Sequence, residues 1–247
     1  MSLTETNIRE KEFHNELQSR KTGRFEKIFY KAIENLNKDF FEYLKKNAKN
    51  SEILDYGCGV GTSVEKVITY SPKNVSGIDI SEVSIEKAKI RAKELNIVVD
   101  YKVDNCEKTQ FDDNSFNIIY GAGIIHHLQI DKSLNEIHRL LKPDGTLVFI
   151  EPLGTNPLIN LYRKFTPKAR SKDEHPLVKK DFDFIDKKFV KTRIKYYGFL
   201  TLVFFPFYKN PSNSLLFKLL ASADQYLFKI KFFKLFAWSV LITAKKN

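Results

Sequence analysis

The chain has 247 residues, of which 43% are hydrophobic and 29% charged; this composition supports one large domain with a hydrophobic core and excludes a disordered polymer. Two cysteines, Cys58 and Cys106, are too few for a disulfide framework or a four-thiolate zinc site, so we expect a reducing, cytoplasmic setting. Residues 1–50 are charged throughout, so we expect no secretion signal. No uncharged apolar run approaches the ~20 residues of a membrane-spanning helix.

The net charge of +11 is concentrated in the last part of the chain. Residues 1–155 hold 22 basic and 24 acidic residues, whereas residues 156–247 hold 19 basic and six acidic ones. From Lys187 to the end there are 12 basic residues, one acid (Asp224) and 15 of the chain's 33 aromatic residues. We therefore expect an electrically balanced body followed by a cationic, aromatic surface or lid.

The predicted elements begin with helix and then alternate between strand and helix. Apolar residues at three- and four-residue spacing from Phe25 to Leu36 predict helix within residues 1–50. Strands are predicted at 53–55, 74–80, 98–103, 116–120 and 146–150, and helices at 62–70, 81–95 and 131–141. Because the strands are near-continuous apolar runs and helices connect them, we predict an α/β fold with a doubly wound, mostly parallel sheet.

The pattern changes after Glu151. Residues 156–187 are predicted to be irregular or partly helical, and they are followed by a strand at 189–202, an amphipathic helix at 213–236 and a last strand at 238–244. We expect this last strand to return to the sheet edge in the antiparallel direction, which gives seven strands.

Three regions follow from these elements. Residues 1–50 are a predicted N-terminal helical cap, and residues 51–155 are the predicted ligand-binding core. Residues 156–247 contain a substrate-facing lid, a helical, basic and aromatic insertion, and the final strands of the same sheet.

The strongest signal is the segment ILDYGCGVGTS at residues 53–63. Glycines at 57, 59 and 61 follow the first strand, at the sheet edge where ligands of doubly wound folds bind. A tight turn with no ligand is the alternative. The spacing G-x-G-x-G differs from the G-x-G-x-x-G of dinucleotide sites. Asp55, just before the loop, suits a cationic ligand group better than a pyrophosphate.

Acidic residues end the next two strands. Asp79 follows the second strand, where a carboxylate can bind both hydroxyls of a ribose. The alternative for Asp79 is capping of the following helix, a role that Ser81 can already fill. Asp104 follows the third strand and is placed to reach the rim of an adenine.

The sequence resembles the class I S-adenosylmethionine-dependent methyltransferases in five stretches. They are LDYGCGVG, SGIDIS, VDNCE, FDDNSFNIIYGAGIIHHL and LNEIHRLLKPDGTLVFIEP, all within residues 53–152. The resemblance implies S-adenosylmethionine as the cofactor. The implied cofactor-binding residues are Asp55, Gly57, Cys58, Gly59, Gly61, Asp79, Ile80, Asp104, Asn105, Cys106, Gly121 and Ala122.

The resemblance also assigns a part to each stretch. The segment from Gly57 to Gly59 would lie against the methionine part, Asp79 would bind the ribose, and Ile80 would pack on the adenine. Asp104 and Asn105 would meet the adenine amino edge, while Gly121 and Ala122 would line the floor near the sulfonium. The acidic loop before Phe111 is longer than usual and lacks the common Leu-Pro, which leaves open whether Cys106 contacts the adenine.

Two histidines, His126 and His127, follow the fourth strand close to the expected acceptor position. Either could deprotonate a hydroxyl or orient an amine, because histidine titrates near neutrality. The alternative is that they only bond the backbone of their loop. None of the five histidines forms an H-E-x-x-H motif, so we expect no metal site.

Further polar residues are predicted to face the acceptor. These substrate-binding candidates are His14, Glu151, Arg163, Arg170, Glu174 and His175. The segment from Arg163 to His175 could hold an anionic or sugar-like acceptor, or it could be a salt-bridged loop.

We expect methyl transfer to an oxygen or nitrogen of a small molecule, with a sugar or a lipid-linked precursor as candidates. The fourth strand ends IIYGAG and lacks the Asn/Asp-Pro-Pro-aromatic box of enzymes that methylate nucleobase amines or glutamine amides. An RNA or protein methyltransferase that uses the basic C-terminal region is one alternative, and a non-catalytic cofactor-binding module is another. The glycine spacing disfavours an NAD-dependent oxidoreductase.

Three interpretations of the C-terminal region remain. Its aromatic residues could be core, with the lysines as a solvated face. Residues 204–238 could instead form a patch that contacts a membrane surface peripherally, because lysines and large apolar groups are combined there. Nucleic-acid binding by charge and stacking is disfavoured because no RNA- or DNA-binding motif is present. The sequence leaves the oligomeric state open.

Overall fold

Seven strands form one sheet in the computed structural model, which describes residues 3–19, 30–167, 170–208 and 210–247. The strands are β1 (Glu52–Tyr56), β2 (Asn74–Asp79), β3 (Asp100–Val103), β4 (Phe116–Ala122), β5 (Leu141–Pro152), β6 (Val190–Tyr197) and β7 (Ser239–Lys245). Their order across the sheet is β3-β2-β1-β4-β5-β7-β6. β1 to β5 pair in parallel, whereas β7 is antiparallel to both of its neighbours. The predicted sheet is confirmed, with one correction: β7 lies between β5 and β6, so β6 forms the edge.

Nine α-helices surround the sheet in the described part of the chain. They are α1 (Glu5–Ser19), α2 (Glu34–Asn47), α3 (Val64–Val67), α4 (Glu82–Glu94), α5 (Ile130–Leu140), α6 (Pro157–Phe165), α7 (Lys179–Lys188), α8 (Leu200–Val203) and α9 (Leu215–Leu227). The predicted N-terminal helical pattern is represented by α1, a 3-10 turn at Tyr30–Ile33 and α2. Phe25, Ile28 and Phe29, which belong to that pattern, lie outside the described residues.

The sheet buries side chains on both faces. Ile53 and Leu54 are neighbours in β1, yet they belong to two different apolar clusters on opposite sides. Val148 and Phe149 divide in the same way in β5. Side chains alternate along a strand, so a strand covered on both faces must be apolar at every position. This explains the near-continuous apolar runs in the sequence.

The strand order places the functional loops side by side. β1 pairs with β2 on one side and with β4 on the other, because the chain runs outward to β3 and then returns to β4. In doubly wound sheets, ligands bind where the strand order reverses in this way, at the carboxyl ends of the strands. The glycine loop after β1 and the histidine-containing loop after β4 therefore meet at one edge.

Three predicted elements are shorter in the structure. The strand predicted at 189–202 ends at Tyr197, because Gly198 adopts a φ of +81°, at a place where Ile33 leaves no room for a Cβ. The helix predicted at 62–70 consists of α3 and a 3-10 turn at Ile68–Tyr70. The strand predicted from Val98 begins at Asp100, and Val98 itself is 91% exposed.

The helix predicted at 213–236 is divided into α9 and a 3-10 segment at Lys231–Phe236. Ile230 lies between them with an extended backbone (ψ 124°). Phe228 and Phe233 both pack on the core. In one continuous helix they would point about 140° apart, so the break allows both rings to be buried.

The segment predicted to be irregular, residues 156–187, contains α6 and α7. The Asn156 side chain caps α6 by accepting the amides of Leu158 and Ile159 at 2.9 and 3.1 Å, and Pro157 occupies the first helical turn.

In the described residues, no helix combines the length and the apolar character that crossing a bilayer requires.

Candidate active site

The loop after β1 contains three glycines with left-handed backbone, and only one of them faces open space. Gly57, Gly59 and Gly61 have φ values of +74°, +52° and +76°. A Cβ at Gly57 would lie 2.5 Å from Ile124 Cγ1, and a Cβ at Gly61 would lie 2.4 Å from the Tyr101 hydroxyl. A Cβ at Gly59 would meet nothing within 4 Å. Packing within the protein therefore requires Gly57 and Gly61, whereas Gly59 leaves room for a bound group.

Asp79, at the end of β2, holds the glycine loop. Its Oδ2 accepts the amide of Gly59 and its Oδ1 accepts the amide of Ser81, both at 2.9 Å. Ser81 caps α4 by accepting the amide of Ser84 at 3.0 Å, as the sequence predicted. Burial raises the pKa of Asp79, and the two backbone hydrogen bonds oppose that rise. Asp79 and the adjacent Ile80 are half-buried, so both keep free surface at this edge of the sheet.

Asp55 is a buried carboxyl group with one unpartnered oxygen. It is 3% exposed, and its Oδ2 has no hydrogen-bond partner among the described residues. Burial raises the pKa of Asp55 to about 7; the nearby Tyr120 hydroxyl opposes this rise and the charge of Asp79 adds to it. An unpaired, buried carboxyl group beside an open glycine is a group that a cationic ligand would stabilise.

The residues predicted to contact an adenine lie in the loop after β3 and are buried. Asp104 accepts the amides of Asn105 and Gln110 at 2.8 and 2.9 Å. The Asn105 side chain donates to Asn7 Oδ1 of α1 at 3.3 Å. Burial raises the pKa of the Cys106 thiol. In this structure Asp104 holds its own loop together, and the adenine contacts of Asp104, Asn105 and Cys106 remain predictions.

Helix α1 lies over the carboxyl edge of β2 and β3. Asn7 contacts Asn105 after β3, and Asn15 Oδ1 accepts the Ser81 hydroxyl after β2 at 2.5 Å. Arg9 forms an ion pair of 2.8 Å with Asp173 in the segment after α6. The helix therefore joins the core to the region predicted as a lid.

A cavity of about 630 Å³ lies beside this edge, within the roughly 300–1,000 Å³ typical of small-molecule sites. Seven residues that the sequence predicted line it: His14, Ala122, His126, His127, Arg163, Arg170 and Glu174. The apolar and aromatic walls were not predicted from the sequence: Phe13, Tyr30, Leu158, Ile159, Phe205 and Trp238. The aromatic richness of the C-terminal region was the only signal for some of them.

The two residues predicted to form the floor of the site differ in exposure. Ala122 is exposed to the cavity, but Gly121 is buried behind it. A Cβ at Gly121 would lie 2.6 Å from Phe149 and 2.7 Å from the Tyr56 carbonyl oxygen. Gly121 is thus needed for packing inside the sheet.

His126 is held by a buried carboxylate. Its Nδ1 lies 2.7 Å from Oε2 of Glu151, whose Oε1 accepts the amides of Ile124 and Ile125 at 3.0 and 2.8 Å. Glu151 has no exposed surface, so the prediction that it faces a substrate is wrong; backbone N–H groups of the loop after β4 surround it instead. Because a carboxylate only accepts, Nδ1 of His126 carries the hydrogen and Nε2 is the proton-accepting nitrogen of the neutral ring.

His127 pairs with α1. Its Nδ1 lies 3.1 Å from Oε2 of Glu10, and His14 Nε2 lies 3.7 Å from the same oxygen. Burial lowers the pKa of His127, but the carboxylate of Glu10 outweighs it and the net pKa is raised. Burial acts to raise the pKa of Glu10, yet the adjacent His127 ring and the hydrogen bond from Ser171 bring it below its ordinary value. Burial lowers the pKa of His14.

These side chains also form two groups with the donor atoms of a metal site. The ligand atoms of Glu10, His14 and His127 lie within 4.8 Å of one another, and so do those of His126, His127 and Glu174. Either group could hold an ion, so the expectation of no metal remains a prediction.

The candidates after β5 separate into two sets. Arg163, Arg170 and Glu174 line the cavity, and Arg170 Nε lies 3.7 Å from Glu174 Oε1. The His175 side chain is 42% exposed, lies 3.9 Å from Asp181 and is not part of the cavity wall. A contact of the His175 side chain with the acceptor therefore stays a prediction; the His175 backbone amide donates to the carbonyl oxygen of His126 at 2.8 Å.

Comparison with solved structures identifies the fold. Over its full length the chain is similar to a geranyl diphosphate C-methyltransferase from Streptomyces coelicolor, with a TM-score of 0.69, 17% identity and 100% of both chains covered. It is also similar to a phosphoethanolamine N-methyltransferase from Haemonchus contortus, with a TM-score of 0.68 and 17% identity over 99% of this chain and 61% of that one. The fold is that of the class I S-adenosylmethionine-dependent methyltransferases.

Sequence comparison finds related proteins for the central part of the chain. Residues 54–149 match the family described as "Methyltransferase domain". The ubiquinone biosynthesis O-methyltransferase of Pelagibacter ubique is 37% identical over 123 residues, which cover 49% of this chain and 50% of the relative. A sterol 24-C-methyltransferase of Saccharomyces cerevisiae is 31% identical over 107 residues, 42% of this chain and 28% of the relative. The chain therefore spans half or less of the length of these two relatives.

Proposed function

We propose that this protein is an S-adenosylmethionine-dependent methyltransferase that transfers a methyl group to an oxygen or nitrogen of a small molecule. The observation that carries the proposal is the juxtaposition at one sheet edge. A glycine loop open at Gly59 lies between two carboxyl groups, Asp55 and Asp79, and the neighbouring loop after β4 presents His126 to a 630 Å³ cavity. The family match and the methyltransferase folds of the similar structures support it.

The residues at the glycine loop fit the proposed cofactor. Gly59 leaves space for close approach, the unpaired Asp55 suits a cationic amino-acid group, and Asp79 keeps free surface for a sugar diol. When bound, S-adenosylmethionine would supply an electrophilic methyl group on a sulfonium. The protein's part is then to align the acceptor and exclude water, and proximity and orientation can lower a barrier by roughly 7–11 kcal/mol.

The cavity provides the proposed proton acceptor. Glu151 holds Nδ1–H of His126, so Nε2 of the same ring can take the proton from an acceptor hydroxyl or ammonium group. Without that carboxylate the imidazole could bind its proton on either nitrogen. O- and N-methylation both release a proton from the acceptor atom, so a base at this position would serve either reaction.

We also propose that the acceptor reaches the cavity from a membrane surface. Leu158 and Phe205 line the cavity, and exposed apolar side chains continue from both segments. On α6, Leu161 and Phe165 are 54% and 75% exposed, and in the turn after α8, Phe207 is 73% exposed.

The 3-10 segment Lys231–Phe236 adds two further exposed apolar side chains among lysines: Phe232 is 60% exposed and Leu235 is 48% exposed. Lysines mixed with large apolar groups are typical of surfaces that bind anionic bilayers.

Labelling tests the reaction. The protein is incubated with methyl-labelled cofactor and with extract separated into metabolite, lipid, RNA and protein pools. We expect label in the metabolite or lipid pool. Label confined to RNA or protein would contradict the small-molecule acceptor, and label in no pool would support a non-catalytic module.

Two histidine variants test the proton acceptor. His126→Asn should slow transfer to the labelled pool by about 100-fold or more, since general base catalysis contributes roughly 10²–10⁴-fold. His138→Asn is the control, because His138 lies on α5 against Phe189, away from the cavity wall. Equal rates for the two variants would exclude His126 as the base.

Vesicle flotation tests the membrane surface. The protein should float with vesicles that contain phosphatidylglycerol and remain unbound with phosphatidylcholine alone. Replacing Phe207 and Phe232 by serine should abolish flotation, whereas Val98→Ser, at an even more exposed apolar position before β3, should not. Flotation that survives the double replacement would refute this surface.

A further inference from the structure

The cavity wall combines apolar surface with a small charged group. Leu158, Ile159, Phe205 and Trp238 form apolar wall, and three charged side chains from the segment after β5 stand among them. These are Arg163, Arg170 and Glu174. A ligand that fills this space must match both parts.

Two of the three charges neutralise each other. Arg170 Nε lies 3.7 Å from Glu174 Oε1, and both side chains are largely buried. Arg170 also donates to the Thr166 hydroxyl at 2.9 Å and to the carbonyl oxygen of Arg163 at 3.4 Å. Arg170 is therefore held in place by the protein itself.

Arg163 has no such counter-ion. One of its guanidinium nitrogens donates to the Leu153 carbonyl oxygen and to Asn160 Oδ1, both at 2.9 Å and both neutral acceptors. Within the described residues, no carboxylate lies within 4.0 Å of this guanidinium. Burial lowers the pKa of Arg163 to about 10, and the charge of Glu174 only partly opposes this. A half-buried cation without a counter-ion is costly unless a ligand supplies the missing charge.

We propose that the cavity binds an amphiphilic anion, with its carboxylate or phosphate against Arg163 and its apolar body against Leu158, Ile159 and Trp238. Because arginine presents a planar fork of donors, it matches both kinds of anionic group. As a description of the methyl acceptor, this inference rests on the proposed function. It disfavours the neutral sugar that the sequence left open, since a neutral acceptor would leave Arg163 without a counter-ion.

Trp238 provides a direct readout, because it is the chain's only tryptophan and it lines the cavity. Its fluorescence is followed during titration with octyl phosphate below the micellar concentration, with 1-octanol, and with inorganic phosphate. We expect octyl phosphate to bind about 10–100-fold more tightly than octanol. Inorganic phosphate should bind weakly because it lacks the apolar body.

A matched pair of variants isolates the charge. Arg163→Gln should bind octyl phosphate about 10–100-fold more weakly and leave octanol binding unchanged, which also shows that the cavity is intact. Lys164→Gln removes the same charge from an exposed neighbouring position and should behave as the wild type. Arg163→Lys should recover part of the affinity.

Three results would overturn the inference. They are equal affinity for octyl phosphate and octanol, equal loss of octyl phosphate affinity in the Arg163 and Lys164 variants, and a fluorescence response only to vesicles that contain phosphatidic acid.

Calorimetry with S-adenosylhomocysteine on the same samples separates the anion site from the proposed function. Selective anion binding without cofactor binding would contradict the proposed function and leave the anion site standing, whereas cofactor binding without anion selectivity would do the reverse.

Discussion

Replacement of Asp55 by asparagine is expected to stabilise the ligand-free protein and to weaken cofactor binding. The carboxyl group is buried, its Oδ2 has no hydrogen-bond partner among the described residues, and its pKa is raised from 3.8 to about 7. Asparagine has nearly the same shape and carries no charge at any pH. The variant therefore removes the cost of ionising a buried group and little else.

The magnitude follows from the raised pKa. A group with a raised pKa in the folded state contributes stability that is present below its unfolded pKa and is lost as the pH rises through its folded pKa. For Asp55 this loss runs from about pH 3.8 to about pH 7. Between pH 5 and pH 8 the wild type should lose about 2.5 kcal/mol relative to the Asn variant.

Urea unfolding of the ligand-free protein at pH 5 and pH 8 measures this difference. Asp112→Asn serves as the control, because Asp112 is an exposed aspartate in the loop before β4 and its replacement should leave the pH dependence unchanged. Calorimetry should show that Asp55→Asn binds S-adenosylmethionine at least tenfold more weakly. If the wild type and Asp55→Asn change in parallel between the two pH values, the assignment of Asp55 as an unpaired buried carboxyl is refuted.

Three further variants test other contacts of the site. Glu151→Gln should keep the hydrogen bonds from the loop amides to Oε1 but lose the oxygen that accepts from His126. We expect the free energy of unfolding in urea to fall by about 2 kcal/mol and nitrogen NMR to show an altered tautomer ratio of His126. An unchanged tautomer ratio would contradict the positioning role of Glu151. In Gly59→Ala the added Cβ has no protein atom within 4 Å, so the free energy of unfolding should fall by only about 1 kcal/mol, the cost of a φ of +52° for alanine. Calorimetry should nevertheless show tenfold weaker binding of the cofactor. Glu10→Gln removes the partner of His127. The pKa of Glu10 is lowered from 4.5 and that of His127 is raised from 6.5. The wild type should therefore exceed the variant in free energy of unfolding, measured in urea, by the most between pH 4.5 and pH 6.5, and by less at lower and higher pH. A difference that does not change with pH would refute the ion pair of Glu10 with His127.

The core of the fold could be predicted from local sequence because its signals are local. Each central strand is an apolar run, and the glycine spacing after β1 marks the loop at which doubly wound sheets commonly bind ligands. The position of β7 could not be predicted in this way. Its apolar sequence requires burial, but only the pairing with both β5 and β6 shows that it lies inside the sheet.

The site was predicted where a single segment carries the chemistry, and it was missed where distant segments meet. His126 follows β4, and that position alone predicted its place at the cavity wall. Its carboxylate partner Glu151 was expected to face a substrate, because its place after β5 does not reveal that loop amides surround it. The contact of Glu10 with His127 joins residues 117 positions apart, and nothing in the N-terminal sequence indicates it.

The acceptor side depended most on tertiary structure. A segment rich in arginine, acid and histidine allowed both a salt-bridged loop and a substrate lid, and the structure contains part of each. Arg170 pairs with Glu174, His175 turns outward, and Arg163 faces the cavity with neutral partners only among the described residues.

The most direct test is a calorimetric titration of the full chain with S-adenosylhomocysteine, repeated for Asp79→Ala. We expect one bound molecule per chain and at least tenfold weaker binding by the variant, because Asp79 holds the Gly59 amide and is the proposed ligand of the sugar diol. Circular dichroism would confirm that the variant is folded. Absence of binding by the wild type, equal affinity of the two proteins, or preference for a nicotinamide dinucleotide would contradict the account.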